Sequence, residues 1–364
     1  MLRSEIGRTP FSLDFERSGC ATDRRAAQAD PRRIRSTNFT PHCINPQVAD
    51  RVMQVKYVTA INHLKIASDL GRGDKLDDST FITNNRSIIS KLVDQRVIPV
   101  MGTLEWSAIS EAKTVIYGRY EIDSNAQDSI AFLTSRLFWT KFLFHALWLV
   151  LDNAADNDLG FLICDADGVP TVSSNFIATG ISKADGTMVV TEISRQQLQT
   201  ARSLYRKFSL DGRAGMNYTT RLVKHSNRLE RALYHIQGAR HSSDIALKLV
   251  NYCTAAESIF ASSSPQGELA HQLSERLACF LEGPGRSRVE TYNLFKRAYR
   301  FRSRVTHGAA IADKELEEVK RLSFICDDML RRSIRRLLDD EDLIERFELE
   351  DKFNDFFITS LLGG

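Results

Sequence analysis

The stretch YNLFKRAYRFRSRVTHG, from Tyr292 to Gly308, combines the apolar periodicity of a packed helix with four arginines. On a helical wheel at about 100° per residue, one apolar stripe is predicted. The stripe consists of Val289, Tyr292, Phe295 and Tyr299. Arg302 continues it, and a guanidinium on a buried stripe loses its hydration unless another group pairs with it.

A partner for Arg302 is available on an earlier predicted helix, over residues 243–261. The apolar stripe of that helix consists of Leu249, Cys253, Ala256 and Phe260. Glu257 lies at the edge of this stripe, where its carboxylate can hold a guanidinium through two parallel hydrogen bonds. Arg302 is then either a member of a structural ion pair or an anion-binding residue, and the sequence leaves both alternatives open.

His307 follows Arg302 by five residues, which corresponds to a rotation of about 140° on a continuous helix. The two side chains can meet on one substrate only if the helix ends near residue 306, or if a second copy of the chain supplies another pair. Gly308 is suited to the left-handed conformation that ends many helices. Taken alone, a histidine at the end of a helix is more often a cap than a catalytic residue.

The sequence around this stretch predicts a series of helices with short connections, which is typical of an antiparallel bundle. The predicted helices cover residues 216–237, 243–261, 267–281, 287–306 and 312–338.

The N-terminal half has a mixed pattern. Apolar residues at helical spacing predict a first helix over 47–70, and a long helix is predicted over 125–153. Between them, two short runs rich in β-branched residues favour strands: RVIPVMGTL at 96–104 and KTVIYGRYEI at 113–122. Strand-like runs separated by Asp-Gly turns predict a small β-meander over 160–194. The predicted fold class is therefore α+β overall: an N-terminal α+β domain with a small β-meander, followed by an all-α bundle.

We divide the chain into four parts. They are a loosely ordered basic arm (1–45), an N-terminal α+β domain of unknown role (46–215), the helical bundle (216–340) and an acidic C-terminal tail (341–364). Charge is uneven along the second half. Residues 201–240 hold nine Lys or Arg against two acids, and residues 339–355 hold nine acids against two bases. The basic run can line a polyanion site and the acidic run can mask it, and the alternative for each run is a solvated helix face.

The overall composition is that of an ordinary soluble globular protein, with 364 residues, 43% hydrophobic and 26% charged. A net charge of +3 is too small to indicate a polyanion binder by itself. The six cysteines are scattered and lack metal-ligand spacing, so we expect free thiols and no cofactor or metal. The longest apolar run, 137–151, is shorter than the roughly 20 residues that span a bilayer. Together with an N-terminus that lacks the apolar run of a secretory signal, this predicts a cytoplasmic protein without membrane contact.

The run from Arg302 to Gly308 resembles the motif of HEPN domains, in which an arginine and a small polar residue precede a histidine by a few positions. Its form is similar to that of the Apea-like HEPN group in particular. AAESIF at 255–260 and LAHQLSERLACFLEG at 269–283 resemble the two helices that precede the motif in that group. The resemblance covers about 225–338, and the first 200 residues resemble no family in this way.

The resemblance implies a helical bundle that dimerises through the motif helices to form a composite cleft. In active members this cleft is a metal-independent endoribonuclease. On this basis His307 exchanges protons with the ribose 2′-OH or the leaving 5′-oxygen, and Arg302 stabilises the charge on the phosphate. Ser303 contacts the phosphate or positions the arginine, and Glu257 orients Arg302. The implied products are a 2′,3′-cyclic phosphate and a 5′-hydroxyl, and DNA should resist cleavage.

Three further arginines, Arg297, Arg300 and Arg304, are predicted to guide the RNA backbone, with solubility as the alternative role. The main hypothesis is a ribonuclease that acts as a toxin or antiviral defence effector, with a regulator or trigger acting on the N-terminal domain. The second is a non-catalytic HEPN module that binds nucleotide or RNA or only dimerises. The third is a structural scaffold in which Arg302 is paired with Glu257 and no cleft is open.

Overall fold

The computed structural model describes residues 52–123, 126–166, 169–178, 180–208, 226–262 and 268–362. An antiparallel sheet occupies the N-terminal part and helices occupy the C-terminal part, so the predicted α+β class is confirmed. Residues 50–364 form one compact unit. The predicted basic arm, and the predicted boundary between residues 215 and 216, lie outside the described residues.

The strands of the described residues form two sheets. They are β1 (Val52–Ala60), β2 (Leu64–Ile66), β3 (Asp74–Lys75), β4 (Thr80–Thr83), β5 (Val115–Asp123), β6 (Leu159–Ala166), β7 (Val169–Phe176) and β8 (Thr191–Ile193). Six strands in the order β3-β4-β5-β1-β6-β7 make the main sheet, in which every neighbouring pair is antiparallel. The short strands β2 and β8 pair in parallel. Strand β1 is central, because it pairs with β5 on one side and β6 on the other.

The described helices follow a simple order along the chain. They are α1 (Arg86–Ile89), α2 (Ile98–Met101), α3 (Thr103–Ser110), α4 (Ala126–Trp148), α5 (Arg195–Phe208), α6 (Arg228–His241), α7 (Ile245–Phe260), α8 (Leu269–Leu281), α9 (Arg286–Thr306), α10 (Leu316–Asp339), α11 (Glu341–Glu348) and α12 (Glu350–Leu362).

The predicted helix over 47–70 is wrong where the structure describes it, because these residues form β1 and β2. Both faces of β1 are covered, so its side chains do not show the simple alternation of a half-exposed strand. Tyr57 and Val58 point to opposite faces and are both fully buried. The valines of this segment recur every three residues, which resembles a helical stripe, but β-branched residues at a doubly covered site favour a central strand.

The main sheet lies between two helical layers. On one face Val55 and Tyr57 pack with residues of α4. On the other face Val58 and Phe161 pack with residues of α1, α3 and the segments around them. Residues 98–101 are helical rather than strand-like, whereas the strand predicted over 113–122 is present as β5.

The predicted β-meander is correct for two strands and wrong for the third. Strands β6 and β7 form an antiparallel hairpin. The chain then leaves the main sheet, and β8 pairs with β2 instead. A tight turn around Gly186, which has a left-handed φ of 83°, precedes β8. This turn packs against the bundle, because a Cβ on Gly186 would lie 2.8 Å from the carbonyl oxygen of Ser243.

The helical bundle agrees closely with the sequence prediction. Helices α7, α8 and α9 start and end within two residues of their predicted limits. The predicted helix over 216–237 overlaps α6, and residues 209–225 are outside the described part. A short 3-10 turn, Asp313–Glu315, precedes helix α10. The predicted helix over 312–338 therefore begins too early, because its first residues belong to this turn.

The acidic segment, predicted as a tail over 341–364, is helical over residues 341–362. Helices α11 and α12 direct Phe347, Phe353 and Phe357 into the core of the bundle, where each is almost completely buried. Phe347 stacks edge-to-face on Phe280 of α8. The acidic residues occupy the outer faces of these helices. Because they are so numerous, the amphipathic pattern of the segment was not recognised in the sequence.

A buried carboxylate joins α4 to the bundle. Asp327 of α10 is fully buried, and its Oδ1 accepts hydrogen bonds from Trp148 Nε1 at 2.7 Å and Tyr252 Oη at 2.8 Å. Its Oδ2 accepts from Arg331 Nη2 at 2.6 Å. Burial raises the pKa of Asp327, and the Arg331 guanidinium acts in the opposite direction. Three donors therefore replace the water that the carboxylate loses.

Two buried cations lie beside this carboxylate. Lys248 is completely buried, and its Nζ donates to the carbonyl oxygens of Ala239 at 2.8 Å and Ser182 at 3.3 Å. Arg240 donates to the carbonyl oxygen of Asn153 at 3.2 Å. Backbone carbonyls from the N-terminal part thus bind side chains of α6 and α7. Burial lowers the pKa of Lys248 to about 8, and Arg240 adds to this effect.

The Asp327→Asn substitution should lower the free energy of unfolding by about 3–5 kcal/mol at neutral pH, because it removes the buried counter-charge of Arg331. The other carboxylate near this guanidinium, that of the half-exposed Asp328, is 3.8 Å away. Urea unfolding followed by circular dichroism measures this change. Asp339→Asn is the control, since that side chain at the end of α10 is exposed, and it should change the free energy by no more than about 0.5 kcal/mol. Equal effects of the two substitutions would contradict this role of Asp327.

Stability should also depend on the charge of Lys248. Its folded-state pKa of about 8 lies below its ordinary value of 10.5. Between these two values the unfolded chain binds more protons, so the free energy of unfolding should increase with pH in that window. Urea unfolding at several pH values should show about 1 kcal/mol per pH unit more stabilisation for the wild type than for Lys248→Met. The exposed Lys91, changed to Gln, should leave the slope unaltered, and parallel curves for wild type and Lys248→Met would refute the role of Lys248.

Candidate functional site

Helix α9 presents one buried face to the bundle, and the candidate site lies at its C-terminal end. The buried residues are Thr291, Phe295, Ala298 and Tyr299. Val289 was predicted on this face but is 58% exposed. It lies about 120° from Phe295 on the helical wheel, which places it outside the stripe.

The predicted contact between Arg302 and Glu257 is present. Arg302 Nη2 lies 2.8 Å from Oε1 of Glu257 and 3.1 Å from Oε2, and it directs its hydrogen bond to Oε2. The arginine side chain is 23% exposed and the glutamate side chain is 19% exposed, so the pair is accessible from one side. The stripe of α7 is also as predicted, with Leu249, Cys253, Ala256 and Phe260 buried.

The pairing differs in geometry from the two parallel hydrogen bonds that the sequence suggested. A single nitrogen of Arg302 faces both carboxylate oxygens of Glu257. Arg302 Nε is buried and has no hydrogen-bond partner among the described residues. No hydrogen bond within the described ranges uses Nη1 either. The carboxylate thus fixes the position of the guanidinium while using few of its donors.

Tyr299 completes the surroundings of this ion pair. The Cζ atom of Arg302 lies 5.2 Å from the centre of the Tyr299 ring, which permits a cation-π contact. Burial raises the pKa of the Tyr299 phenol, and the neighbouring Glu257 carboxylate raises it further. The sequence placed Tyr299 on the buried stripe but did not predict this contact, although a spacing of three residues puts the two side chains on one face.

His307 caps the end of α9 and is exposed. The helix ends in a Schellman motif: Gly308 N–H donates to Val305 O at 3.0 Å, and Ala309 N–H donates to Arg304 O at 2.9 Å. Gly308 has the predicted left-handed conformation, with φ of 84°. The predicted end of the helix near residue 306 is therefore confirmed, and the imidazole of His307 stands at the solvent boundary.

Ser303 and Thr306 lie between Arg302 and His307 in the sequence. Thr306 Oγ1 donates to the carbonyl oxygen of Arg302 at 2.8 Å, so its hydroxyl is used within the helix. Ser303 is half buried, and its hydroxyl forms no hydrogen bond to another described residue. Of the two hydroxyls, that of Ser303 is the one available to a ligand.

The three arginines that were predicted to guide RNA differ in their surroundings. Arg304 forms two hydrogen bonds to Glu315, at 2.7 and 2.9 Å, and this guanidinium lowers the pKa of Glu315 to about 2. Arg297 donates to Glu318 at 2.9 Å. Arg300 is exposed and has no ion pair within the described part of the chain. Sequence reasoning missed both glutamates, because only the turn between α9 and α10 brings them next to α9.

No group of three or more His, Cys, Asp or Glu side chains that could hold a metal ion occurs in the described ranges. The four described cysteines (Cys164, Cys253, Cys279 and Cys326) are free thiols. Helices long and apolar enough to cross a membrane are absent from the described residues. The site thus consists of a guanidinium held by a carboxylate, a free hydroxyl and an exposed imidazole, a set that suits anion binding and proton transfer.

Comparisons with protein-family models, with curated proteins and with solved structures give no match for this chain. The resemblance to HEPN domains therefore depends on the residues described above.

The conformation at Gly308 gives a direct test of how α9 ends. Gly308→Ala should lower the free energy of unfolding by about 1 kcal/mol, because a side chain disfavours the left-handed conformation. The control is Gly283→Ala, where φ is not positive and a Cβ would meet no atom within 4 Å. Urea unfolding of both variants measures the difference. If both alanines had the same effect, left-handed strain at Gly308 would be excluded as the cause.

Proposed function

We propose that this protein is a metal-independent endoribonuclease of the HEPN type. The observation that carries the proposal is the placement of Arg302, Ser303 and His307 at the exposed end of α9, with Arg302 held by Glu257. The ion pair leaves the guanidinium partly accessible, the serine hydroxyl has no partner among the described residues, and the imidazole is exposed. These are the groups that the resemblance assigns to catalysis.

The chemistry follows from these groups. The ribose 2′-oxygen attacks the adjacent phosphorus, and its proton passes to a base as the new P–O bond forms. The bond to the 5′-oxygen breaks, and an acid returns a proton to that oxygen, which leaves a 2′,3′-cyclic phosphate and a 5′-hydroxyl. His307 takes the first proton or supplies the second, since imidazole exchanges protons near neutral pH. Arg302 stabilises the negative charge of the pentacoordinate phosphate.

The proposal includes a homodimer. Arg302 points along the seam towards α7, and His307 lies five residues later, about 140° further round the helix axis. One chain therefore directs the two groups apart. If the ends of two α9 helices lie side by side, Arg302 of one copy and His307 of the other can face the same phosphate.

RNA would approach this cleft along α9. Of the three arginines, Arg300 is the most available for phosphate contacts, because Arg297 and Arg304 are already bound to glutamates. An RNA phosphate would have to displace those carboxylates. We therefore expect Arg300 to contribute more to RNA affinity than the other two, with a dependence on salt concentration.

In this proposal the protein is cytoplasmic and acts as a toxin or antiviral defence effector. The sheet-bearing N-terminal part would receive the trigger or regulator. Its direct polar contacts with α6, α7 and α10 provide a physical connection for such control.

A second candidate is a non-catalytic HEPN module that binds nucleotide or RNA or only dimerises. One observation favours it: Arg302 already has a carboxylate partner, which suits a structural or binding role as well as a catalytic one. The third possibility, a scaffold without ligand, would require that neither Arg302 nor His307 affects any interaction with RNA.

Cleavage of total cellular RNA in EDTA by the purified protein tests the proposal. His307→Ala should reduce the rate by at least about a hundredfold, since general acid–base catalysis contributes at least that much. Arg302→Lys should also reduce it strongly, because it keeps the charge near Glu257 but loses the planar guanidinium. His271→Gln, at an exposed histidine of α8, serves as the control and should keep the wild-type rate. Product ends should carry a cyclic phosphate. RNA binding without cleavage would support the non-catalytic module instead.

A mixing experiment tests the composite cleft. Arg302→Ala and His307→Ala chains are each expected to be inactive alone. Unfolded and refolded together, they should regain about a quarter of the wild-type activity, since half of the dimers are mixed and each mixed dimer has one complete cleft. No recovery, with dimers confirmed by light scattering, would place both residues in a single-chain site or exclude the enzyme.

A further inference from the structure

A cavity lined partly by charged side chains lies far from α9 in sequence, on the face of the main sheet that α1–α3 partly cover. Its volume is about 390 Å³, which is within the usual range for small-molecule sites. Strands β1, β5 and β6 form its floor, and the segment between α1 and α2 forms one wall. The cavity is therefore built on rigid elements.

Three cations line this cavity: Lys56, Arg96 and Arg119. Lys56 of β1 and Arg119 of β5 are register partners, so two positive charges stand directly opposite each other on one face of the sheet. Like charges in this position destabilise a sheet. Burial lowers the pKa of Lys56, and the charge of Arg119 lowers it further.

The Asp94 carboxylate, which also lines the cavity, relieves this repulsion only in part: it raises the pKa of Lys56, but by less than Arg119 lowers it. Asp94 is held by Arg96 through hydrogen bonds of 3.0 to 3.3 Å. Glu121 accepts a hydrogen bond from Gln54. Lys56 Nζ donates to the carbonyl oxygen of Leu92 at 2.9 Å. Neither Lys56 nor Arg119 has an ion-pair partner within the described ranges.

Apart from the three cations, Asp94, Gln54 and Cys164, the lining of the cavity is apolar. Ile163 of β6 pairs with Lys56 in the sheet register and lies beside it on the same face. Val97 and Pro170 complete the apolar walls. A ligand that fills the cavity would therefore place negative charge at the cations and a ring or hydrocarbon portion against these side chains.

We propose that this cavity binds a small molecule that carries phosphate and has the size of a mononucleotide. The phosphate contacts Lys56 and Arg119 and removes their mutual repulsion, and the ring packs against Ile163, Val97 and Pro170. A neutral ligand would leave the two cations facing each other, and an anion without a ring would leave the apolar walls unfilled. This inference does not depend on the ribonuclease proposal, because the residues of the two sites are different.

The test is calorimetric titration of the full chain with ADP, inorganic pyrophosphate and adenosine. ADP should bind saturably and more tightly than either of the other two. Arg119→Gln should weaken ADP binding about tenfold or more, since a lost charge-assisted hydrogen bond changes affinity by one to two orders of magnitude. Lys56→Met should act in the same direction. Arg346→Gln, at an exposed arginine of α11, is the matched control and should bind ADP as the wild type does.

A stability measurement separates binding from folding. Arg119 is exposed, so Arg119→Gln should leave the Tm of the ligand-free protein unchanged or slightly higher, because it removes a like-charge contact. ADP should raise the Tm of the wild type but not that of this variant. No saturable ADP binding at millimolar concentration, or equal ADP affinity in wild type and Arg119→Gln, would overturn the proposal. Equal affinities for ADP and pyrophosphate would also overturn it, because the apolar walls would then contribute nothing.

Discussion

The buried carboxylate of Asp327 is the constraint on which the arrangement of the helices depends. It accepts hydrogen bonds from Trp148 at the end of α4 and Tyr252 on α7, and from Arg331 on its own helix, α10. A buried carboxylate is tolerated only when donors replace its hydration. The three helices must therefore approach in one register, and this register also fixes α7, on which Glu257 lies five residues after Tyr252. The hydrogen bonds of Asp327 thus fix the position of the candidate site, although Asp327 is not part of that site.

The same region contains cations at unusual depth. Lys248 and Arg240 donate to backbone carbonyls of Ala239 in α6 and of Ser182 and Asn153 in the N-terminal part, rather than to carboxylates. Arg240 Nε and Nη1 have no partner among the described residues. Such groups add little net stability, because their desolvation offsets the gain from hydrogen bonds. They do restrict the alternative positions of the loops, since displacement of Ser182 or Asn153 would remove an acceptor from a buried charge.

The elements that could be predicted from the sequence are those with one buried face and one face exposed to solvent. Helices α7, α8 and α9 belong to this class, and the contact between Arg302 and Glu257 could be predicted because each residue lies at the edge of its own apolar stripe. Strand β1 could not be recognised from alternation, because Tyr57 and Val58 are buried on opposite faces. The many acidic residues of 341–362 led to the prediction of a tail, so the burial of Phe347 and Phe353 was not predicted. The pairing of Arg304 with Glu315 depends on the turn after Gly308, which no periodicity describes.

The arginines of α9 show how a structural ion pair differs from a site that can accept a ligand. Arg304 uses two nitrogens on two carboxylate oxygens, so a phosphate would replace one good acceptor with another and gain little. Arg302 uses one nitrogen, while the rest of its guanidinium lacks partners among the described residues. In the proposed site a phosphate would meet the unused Nη1 of Arg302 while Glu257 stays in place on Nη2. Lys56 and Arg119 represent a similar situation on the sheet, where the register brings two cations together and neither has an ion-pair partner among the described residues. Both proposed sites therefore depend on cations that the fold positions but that have few partners among the described residues.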